Sequence, residues 1–69
     1  MAVVKILELV GESPRNWQDA VESAVREAAK TVEDITGVEV TNLTAHVENG
    51  SIVGYKADVK VAFRVHEDR

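Results

Sequence analysis

The most regular feature of the chain is an alternation of apolar and polar residues from Val53 to Val65. Every second residue is apolar, and these are Val53, Tyr55, Ala57, Val59, Val61, Phe63 and Val65. Because successive side chains of a β-strand point to opposite faces, this spacing predicts one strand with an apolar face and a charged face. At about 3.3 Å per residue the strand would span roughly 40 Å, which is long for a strand. A chain of 69 residues has little else to cover it, so we expect part of its surface to meet other copies of the chain.

A strand and a helix are predicted ahead of this segment. Apolar residues at both parities from Val3 to Val10 predict a strand that is buried on both faces, and Gly11 is expected to end it. Asn16 is a favourable N-cap for the helix that follows. The apolar positions of this helix recur at spacings of three and one over about five turns, and they are Trp17, Ala20, Val21, Ala24, Val25, Ala28, Ala29, Val32 and Ile35. Gly37, just beyond them, is expected to stop the helix.

A second strand is predicted from about Val38 to Glu48. Its apolar positions change parity midway, which one β-bulge near Thr41–Asn42 would reconcile. Asn49-Gly50 is a strong signal for a tight hairpin turn into the third strand. The order is therefore β-α-β-β, an α+β fold in which a three-stranded, mostly antiparallel sheet is wrapped around one helix. We expect residues 1–69 to form a single domain.

Composition narrows the class of protein. There is no cysteine, so neither a disulfide framework nor a thiolate metal site can stabilise the chain. A domain this small then depends on oligomerisation or on very good packing. The net charge is −4 and the basic residues form no run, which argues against nucleic-acid binding. Lys5 and Glu8 interrupt the apolar N-terminal stretch, so we expect neither a signal peptide nor a membrane span and predict a cytoplasmic location.

Short segments along the chain form a recognisable series. They are Glu8-Leu9-Val10-Gly11 followed by Ser13-Pro14, Asn16-Trp17-Gln18-Asp19-Ala20, Ala28-Ala29-Lys30-Thr31-Val32, Val38-Glu39-Val40, Asn49-Gly50 and Val59-Lys60-Val61-Ala62-Phe63-Arg64. Their order and spacing resemble the dodecin family over essentially the whole chain. The resemblance implies a hollow homododecamer that binds and stores flavins, such as FMN or riboflavin, at its subunit interfaces.

The same resemblance implies a flavin site in which two positions are substituted. In the family, a tryptophan directly before the segment that matches Val38-Glu39-Val40 stacks on the flavin, and a glutamine on the third strand contacts the ring edge. Here the first position is Gly37, beside Val38, and the second is Lys56. Because aromatic stacking is worth roughly 1–3 kcal/mol per ring, we expect flavin binding to be weakened. Family members without this tryptophan include some that resemble binders of calcium or other small ligands, so calcium is the alternative ligand.

Several other residues have more than one interpretation. Trp17 is either a ligand platform or the first packing residue of the helical stripe. Lys56 is either a contact to an anionic ligand or a solvated or ion-paired lysine. Arg64 matches a family position near a subunit junction, which makes it a candidate phosphate contact for nucleotide-type ligands such as coenzyme A. His46 and His66 are isolated in the sequence, so we predict no zinc site.

The chain shows no catalytic motif and no EF-hand spacing, and we predict that it is not an enzyme. Oxygen ligands for calcium would have to converge from several copies, or else these residues form a polar solvated face; they are Glu39, Asn42, Thr44, Glu48 and Asp58. Three hypotheses follow. The protein is a flavin-related ligand carrier, an ion-binding or purely structural shell of the same architecture, or a small enzyme or accessory subunit with a different partner.

Overall fold

The computed structural model describes residues 3–65 of the chain and contains a strand, a helix and two further strands. These are β1 (Val3–Ser13), α1 (Trp17–Ala28), β2 (Ile35–Glu48) and β3 (Ser51–Val65). The strands form one antiparallel sheet in the order β1-β3-β2, so the long alternating strand is the central one and pairs on both sides. The α+β class and the β-α-β-β order predicted from the sequence are confirmed.

The core lies between α1 and one face of the sheet, which we call the helix side. It consists of small and medium apolar side chains, namely Ala20, Ala24 and Ala28 of α1 and Ala57, Val59 and Val61 of β3. Alanines on the helix allow its backbone to come close to the strands. Gly11 shows how close, because a Cβ added there would collide with the carbonyl oxygen of Ala20. The opposite face, which we call the helix-free face, displays the alternate residues of β3, beginning with Lys56.

The helix is shorter than its apolar periodicity predicts. It ends at Ala28, where the backbone amides of Thr31 and Val32 donate to the Ala28 carbonyl oxygen and form a closing turn. Asp34 has a φ of 60°, a left-handed conformation that a continuing α-helix does not allow. Ile35 therefore begins β2, although it still packs against the core, which explains why it continues the apolar stripe.

Two predictions that depend on glycines are wrong. Gly37 does not stop the helix but lies within β2, and Gly11 does not end β1, which continues to Ser13. At Gly11 the missing side chain lets the strand pass directly beneath α1 while it stays paired with Ala57. Gly11 therefore marks a close approach of the helix to a strand, and Gly37 marks an open position within a strand. Neither glycine ends a strand or a helix.

The prediction that β1 is buried on both faces is also wrong for a single chain. Val4, Ile6 and Val10 lie on the helix-free face and remain more than half exposed, at 52%, 57% and 58%. The reason is that α1 covers only one side of the sheet. An apolar run can indicate burial without indicating whether the covering surface belongs to the same chain.

The irregularities of the β2–β3 hairpin are partly as predicted. A register shift between Val40 and Asn42 confirms the bulge near Thr41, whose hydroxyl donates to the Asp58 carbonyl oxygen at 3.1 Å. Asn49 and Gly50 both have positive φ, 52° and 79°, which confirms the tight turn. Two further shifts, Ile35/Gly37 and His46/Val47, were not predicted.

Much of β2 is left uncovered by the helix, which packs mainly on β1 and β3. Val38, Val40 and Leu43 lie opposite Val61, Val59 and Ala57, so they share the helix side of the sheet. Even so they remain 42–48% exposed. The sheet therefore has an apolar strip along β2 that the rest of residues 3–65 covers only in part. Among those residues we also find no helix that is long and apolar enough to cross a membrane.

Candidate functional site

Gly37 and Lys56, the two substituted positions of the expected site, lie far apart in one chain. Gly37 pairs with Ala62, and Lys56 is six residues away from Ala62 along β3. At about 3.3 Å per residue, about 20 Å of strand separate the two positions. Both are on the helix-free face. A single chain therefore does not bring Gly37 and Lys56 together, and a site that uses both must contain residues from more than one copy.

Gly37 occupies an open position. No heavy atom lies within 4 Å of a Cβ built on it. Its cross-strand neighbour on the helix-free face is Ala62, which on its other side pairs with Ile6. These aliphatic groups offer no aromatic surface, so this open position does not provide the stacking that a tryptophan would. Val38 points to the helix side, opposite Val61, and does not share a face with Gly37.

Arg64 lies at the same end of the sheet as Gly37. It is exposed, pairs with Val4 of β1, and its backbone amide donates to the Asp34 carbonyl oxygen at 3.1 Å. It is eight residues from Lys56 along β3, which corresponds to about 26 Å. Arg64 and Lys56 therefore cannot contact the same small ligand within one chain.

Lys56 borders a cleft of about 550 Å³ at the opposite end of the sheet. The cleft is lined by Glu12, Ser13, Pro14, His46, Val53, Gly54, Tyr55 and Lys56. The Lys56 Nζ lies 4.0 Å from Glu12 Oε2, a long ion pair between exposed side chains. His46 is directly across from Gly54, and its Nε2 lies 3.2 Å from Glu48 Oε2.

Among these cleft residues, the sequence indicated Lys56 as a candidate ligand contact and His46 only as an isolated histidine without a zinc site. Counting back from the Asn49-Gly50 turn with a regular register would place His46 opposite Val53. The shift at His46/Val47 places it opposite Gly54 instead. Because a bulge of this kind has no clear signal in the local sequence, the cleft could not be found before the structure was known.

Trp17 serves as a packing residue at the start of α1. Its indole Nε1 donates to the Thr44 carbonyl oxygen at 2.8 Å, and its ring meets that of Tyr55 edge-on, with centroids 4.8 Å apart and planes at 80°. This arrangement agrees with the packing interpretation of Trp17. It also holds Tyr55 in place beside the cleft.

The junction between β1 and α1 is held by a compact polar network. The Asn16 side chain caps the helix by accepting from the Asp19 amide at 2.7 Å, as predicted. The buried Ser13 hydroxyl accepts from the Arg15 amide at 2.9 Å. A hydrogen bond with the Ser13 side chain, followed by the Arg15 guanidinium 2.8 Å away, holds the pKa of Asp19 below its ordinary value. Because Ser13 also lines the cleft, this network supports one end of it.

Residues 3–65 contain no group of three or more histidine, cysteine, aspartate or glutamate residues that could hold a metal ion. The five oxygen-bearing residues named for calcium are spread along the hairpin: Glu39 faces Lys60, Asn42 faces Asp58, Thr44 faces Lys56, and Glu48 contacts His46. His46 has no second histidine beside it in this part of the chain, and His66 lies outside the described residues. A calcium site built from these residues would need several copies of the chain.

Solved structures of dodecins have this fold. A dodecin from Streptomyces coelicolor superimposes with a TM-score of 0.92 at 30% identity, covering 97% of this chain and 96% of that one. A single-residue variant of the Thermus thermophilus dodecin gives 0.93 at 28% identity, covering 97% of this chain and 100% of that one. The "calcium chelating immunodominant antigen, calcium dodecin" from Mycobacterium tuberculosis gives 0.80 at 29% identity, covering 97% and 96%.

The sequence comparisons agree with the structural ones. The model of the Dodecin family matches residues 3–66. The curated protein named calcium dodecin from Mycobacterium tuberculosis is 29% identical over 65 residues, which are 94% of this chain and 92% of that protein. The chain therefore belongs to the dodecin family.

Proposed function

We propose that this protein is a non-enzymatic small-ligand carrier that assembles into a hollow homododecamer and stores flavin-related compounds with weakened affinity. The observation that carries the proposal is the separation of Gly37 from Lys56. They share the helix-free face but lie about 20 Å apart along the sheet. Ligand sites that contain both positions therefore require contacts between copies.

Assembly is favoured by the surfaces that one chain leaves open. Val38, Val40 and Leu43 form an apolar strip on the helix side of β2. Within the described sheet, β1 and β2 each pair on one edge only. Contacts between copies would cover the strip and protect the strand edges, and closed symmetry is the usual result.

Weak flavin binding follows from the substitution at position 37. Gly37 is an open position, since a Cβ there would meet no heavy atom within 4 Å. It supplies no aromatic face, and the loss of stacking lowers affinity by roughly 1–3 kcal/mol per ring. A flavin, when bound, would supply its own redox and fluorescence chemistry, whereas the chain would supply only the binding surface.

Calcium is the second candidate ligand, and the relative named calcium dodecin favours it. Calcium takes six to eight oxygen ligands, typically from carboxylates, carbonyls and waters. In one chain the candidate oxygens are dispersed along the hairpin, so copies would have to contribute them jointly. The cytoplasmic location and the absence of nucleic-acid partners remain predictions from the sequence.

Native mass spectrometry of protein purified without added ligand tests the proposal. We expect a species near twelve times 7.5 kDa. Added mass equal to a flavin would support the carrier, whereas added calcium would support the second candidate. A monomer or dimer alone would contradict the proposed assembly and, with it, the sites shared between copies.

A further inference from the structure

Asn49 and Gly50 form the turn between β2 and β3, and both residues are exposed. Their φ angles are 52° and 79°, and the flanking residues Glu48 and Ser51 pair across the hairpin. Positive φ at both central residues is characteristic of a type I′ turn, whose twist matches that of the two strands it joins. The turn therefore holds the backbone of this dipeptide in one defined conformation.

The same dipeptide can react with itself when the chain is not constrained. The backbone nitrogen of Gly50 attacks the side-chain Cγ of Asn49, and the new carbon–nitrogen bond closes a succinimide ring. The Asn49 amide nitrogen takes up the proton of the Gly50 N–H and leaves as ammonia. Glycine favours this step because it has no Cβ to hinder the attacking nitrogen. Water then opens the ring at either carbonyl and gives aspartate or isoaspartate, so neither an enzyme nor a cofactor is required.

The geometry of the turn opposes ring closure. In a type I′ turn the ψ angle of the first central residue is about +30°, the mirror image of the type I value. At that angle the nitrogen of Gly50 lies on the far side of the Cα–C bond from the Cβ of Asn49, whereas the ring requires both on the same side. The necessary rotation redirects the chain after Asn49, and Glu48 and Ser51 then cannot stay paired. Asn49 therefore reacts only when the turn opens.

Folding of the domain keeps the turn closed. β1 ends at Ser13, opposite Tyr55, so within residues 3–65 the hairpin between Tyr55 and the turn consists of two strands alone. A two-stranded ribbon by itself is marginally stable in water. Trp17 anchors the base of this ribbon through its hydrogen bond to the Thr44 carbonyl oxygen and its contact with the Tyr55 ring. Unfolding removes this anchor and releases the turn.

The two products of the reaction differ in their fit to the turn. Aspartate preserves it, because Asp-Gly favours the type I′ conformation as Asn-Gly does. Isoaspartate does not, because the main chain then runs through the former side-chain Cβ and gains one carbon. A turn with two central residues has no room for that extra atom while Glu48 and Ser51 remain paired. Isoaspartate therefore prevents the hairpin from closing in its native register.

We propose that Asn49 is a site of spontaneous deamidation that the folded hairpin protects. A folded chain keeps asparagine at this position, whereas a chain that stays unfolded converts it to aspartate and isoaspartate. Chains that carry isoaspartate cannot re-form the turn and are excluded from the folded population. The inference goes beyond the proposed ligand binding and does not depend on it, because the reaction involves only Asn49, Gly50 and water.

Peptide mapping by mass spectrometry tests the protection, with the full chain incubated in mildly alkaline buffer with and without guanidinium chloride. We expect Asn49 to deamidate at least about tenfold more slowly in the folded protein, because only the open fraction of molecules reacts. Asn16 and Asn42 are internal controls, since the bulky residues Trp17 and Leu43 follow them and hinder the attacking nitrogen. They should react far more slowly than Asn49 in denaturant. Equal rates at Asn49 with and without denaturant, or an intact Asn49 in denaturant, would overturn the inference.

Two variants separate the chemistry from its consequence. Gly50→Ala should slow the reaction severalfold in denaturant, because its Cβ hinders the nitrogen; the comparison is made there because a φ of 79° strains an alanine in the folded chain. Asn49→Asp should fold like the parent, which would show that the added charge alone does not prevent folding. Parent protein aged in denaturant, refolded and separated by size-exclusion chromatography should contain isoaspartate only outside the folded fraction. An unchanged rate in Gly50→Ala, or isoaspartate in the folded fraction at the proportion of the whole sample, would overturn the inference.

Discussion

The indole of Trp17 donates a 2.8 Å hydrogen bond to the carbonyl oxygen of Thr44, which joins the first residue of α1 to β2. Otherwise the helix packs mainly on β1 and β3 and leaves β2 largely uncovered. The same indole meets the Tyr55 ring of β3 edge-on. One side chain thus connects the helix start to both strands of the hairpin, near the cleft that contains Lys56.

Replacing Trp17 with phenylalanine should destabilise the protein by about 1 kcal/mol, because a net hydrogen bond is lost while most of the ring contact is retained. Urea unfolding at one fixed protein concentration measures the effect, since assembly makes stability depend on concentration. Gln18→Ala is a suitable control, because the neighbouring Gln18 side chain donates to Glu22 Oε2 on the exposed surface of the helix. Equal stability of both variants would show that the bond to Thr44 contributes nothing.

Introducing tryptophan at position 37 should raise flavin affinity by at least tenfold, because stacking contributes roughly 1–3 kcal/mol per ring. The added side chain has room, since no heavy atom lies within 4 Å of a Cβ on Gly37. Quenching of riboflavin or FMN fluorescence during titration measures the change, with Gly37→Ala as the control. Combining Gly37→Trp with Lys56→Gln should strengthen binding further. A folded dodecamer of Gly37→Trp with unchanged affinity would mean that position 37 is not in a flavin site.

The polar network at the β1–α1 junction should make stability fall in acid. The pKa of Asp19 is held below its ordinary value of 3.8, first by the hydrogen bond with Ser13 and then by Arg15. A carboxyl group with a lowered folded-state pKa contributes stability that is complete above 3.8 and is lost as the pH falls through the folded value. Asp19→Asn should therefore lower the melting temperature at pH 7 and reduce its dependence on pH below about 4.

Thermal melts between pH 7 and pH 2 would show this change. Glu27→Gln provides the comparison, because Glu27 is an exposed carboxylate on the same helix, paired with Lys30 at 3.1 Å. If Asp19→Asn and the parent protein lose stability in parallel below pH 4, Asp19 is not the group responsible.

Placing a charge on the uncovered strip of β2 should prevent assembly without unfolding the chain. Val40 is 44% exposed in the single chain, so a lysine there can reach water, but contacts between copies would have to bury its charge. Native mass spectrometry of Val40→Lys should show a species smaller than the parent, and circular dichroism should show the same secondary structure. Gln18→Lys, on the exposed helix surface, is the control. Parent-sized assemblies of Val40→Lys would place the contact surface elsewhere.

Local patterns predicted much of the hairpin and the order of elements. The period of two from Val53 to Val65, the Asn49-Gly50 turn and the parity change near Thr41 all reflect interactions between residues close in sequence. The end of α1 was mispredicted because Val32 and Ile35 pack against the same core as the helix and so continue its apolar spacing. Periodicity reports which side of the chain is buried, and two different backbone conformations can bury the same side.

The candidate site, too, was predictable from the sequence only in part. The resemblance of the chain to dodecins indicates four candidate site residues, Gly37, Val38, Lys56 and Arg64. Their spacing in sequence does not show whether they lie close together. The strand register places Gly37 and Arg64 at one end of the sheet and Lys56 at the other. The distance between the two ends follows from the extended strands, because each residue along β3 adds about 3.3 Å.

The amino-acid sequence by itself determined the fold class, the turn and bulge that shape the hairpin, the N-cap of the helix and the family of the protein. Each of these depends on the character of single residues or on short periods along the chain. Only the tertiary structure decided that α1 covers two strands of three, that Gly11 lies against the Ala20 carbonyl oxygen, and that His46 stands across from Gly54 beside Lys56. These features depend on register and on packing between distant segments, where a shift of one residue exchanges the two faces of a strand.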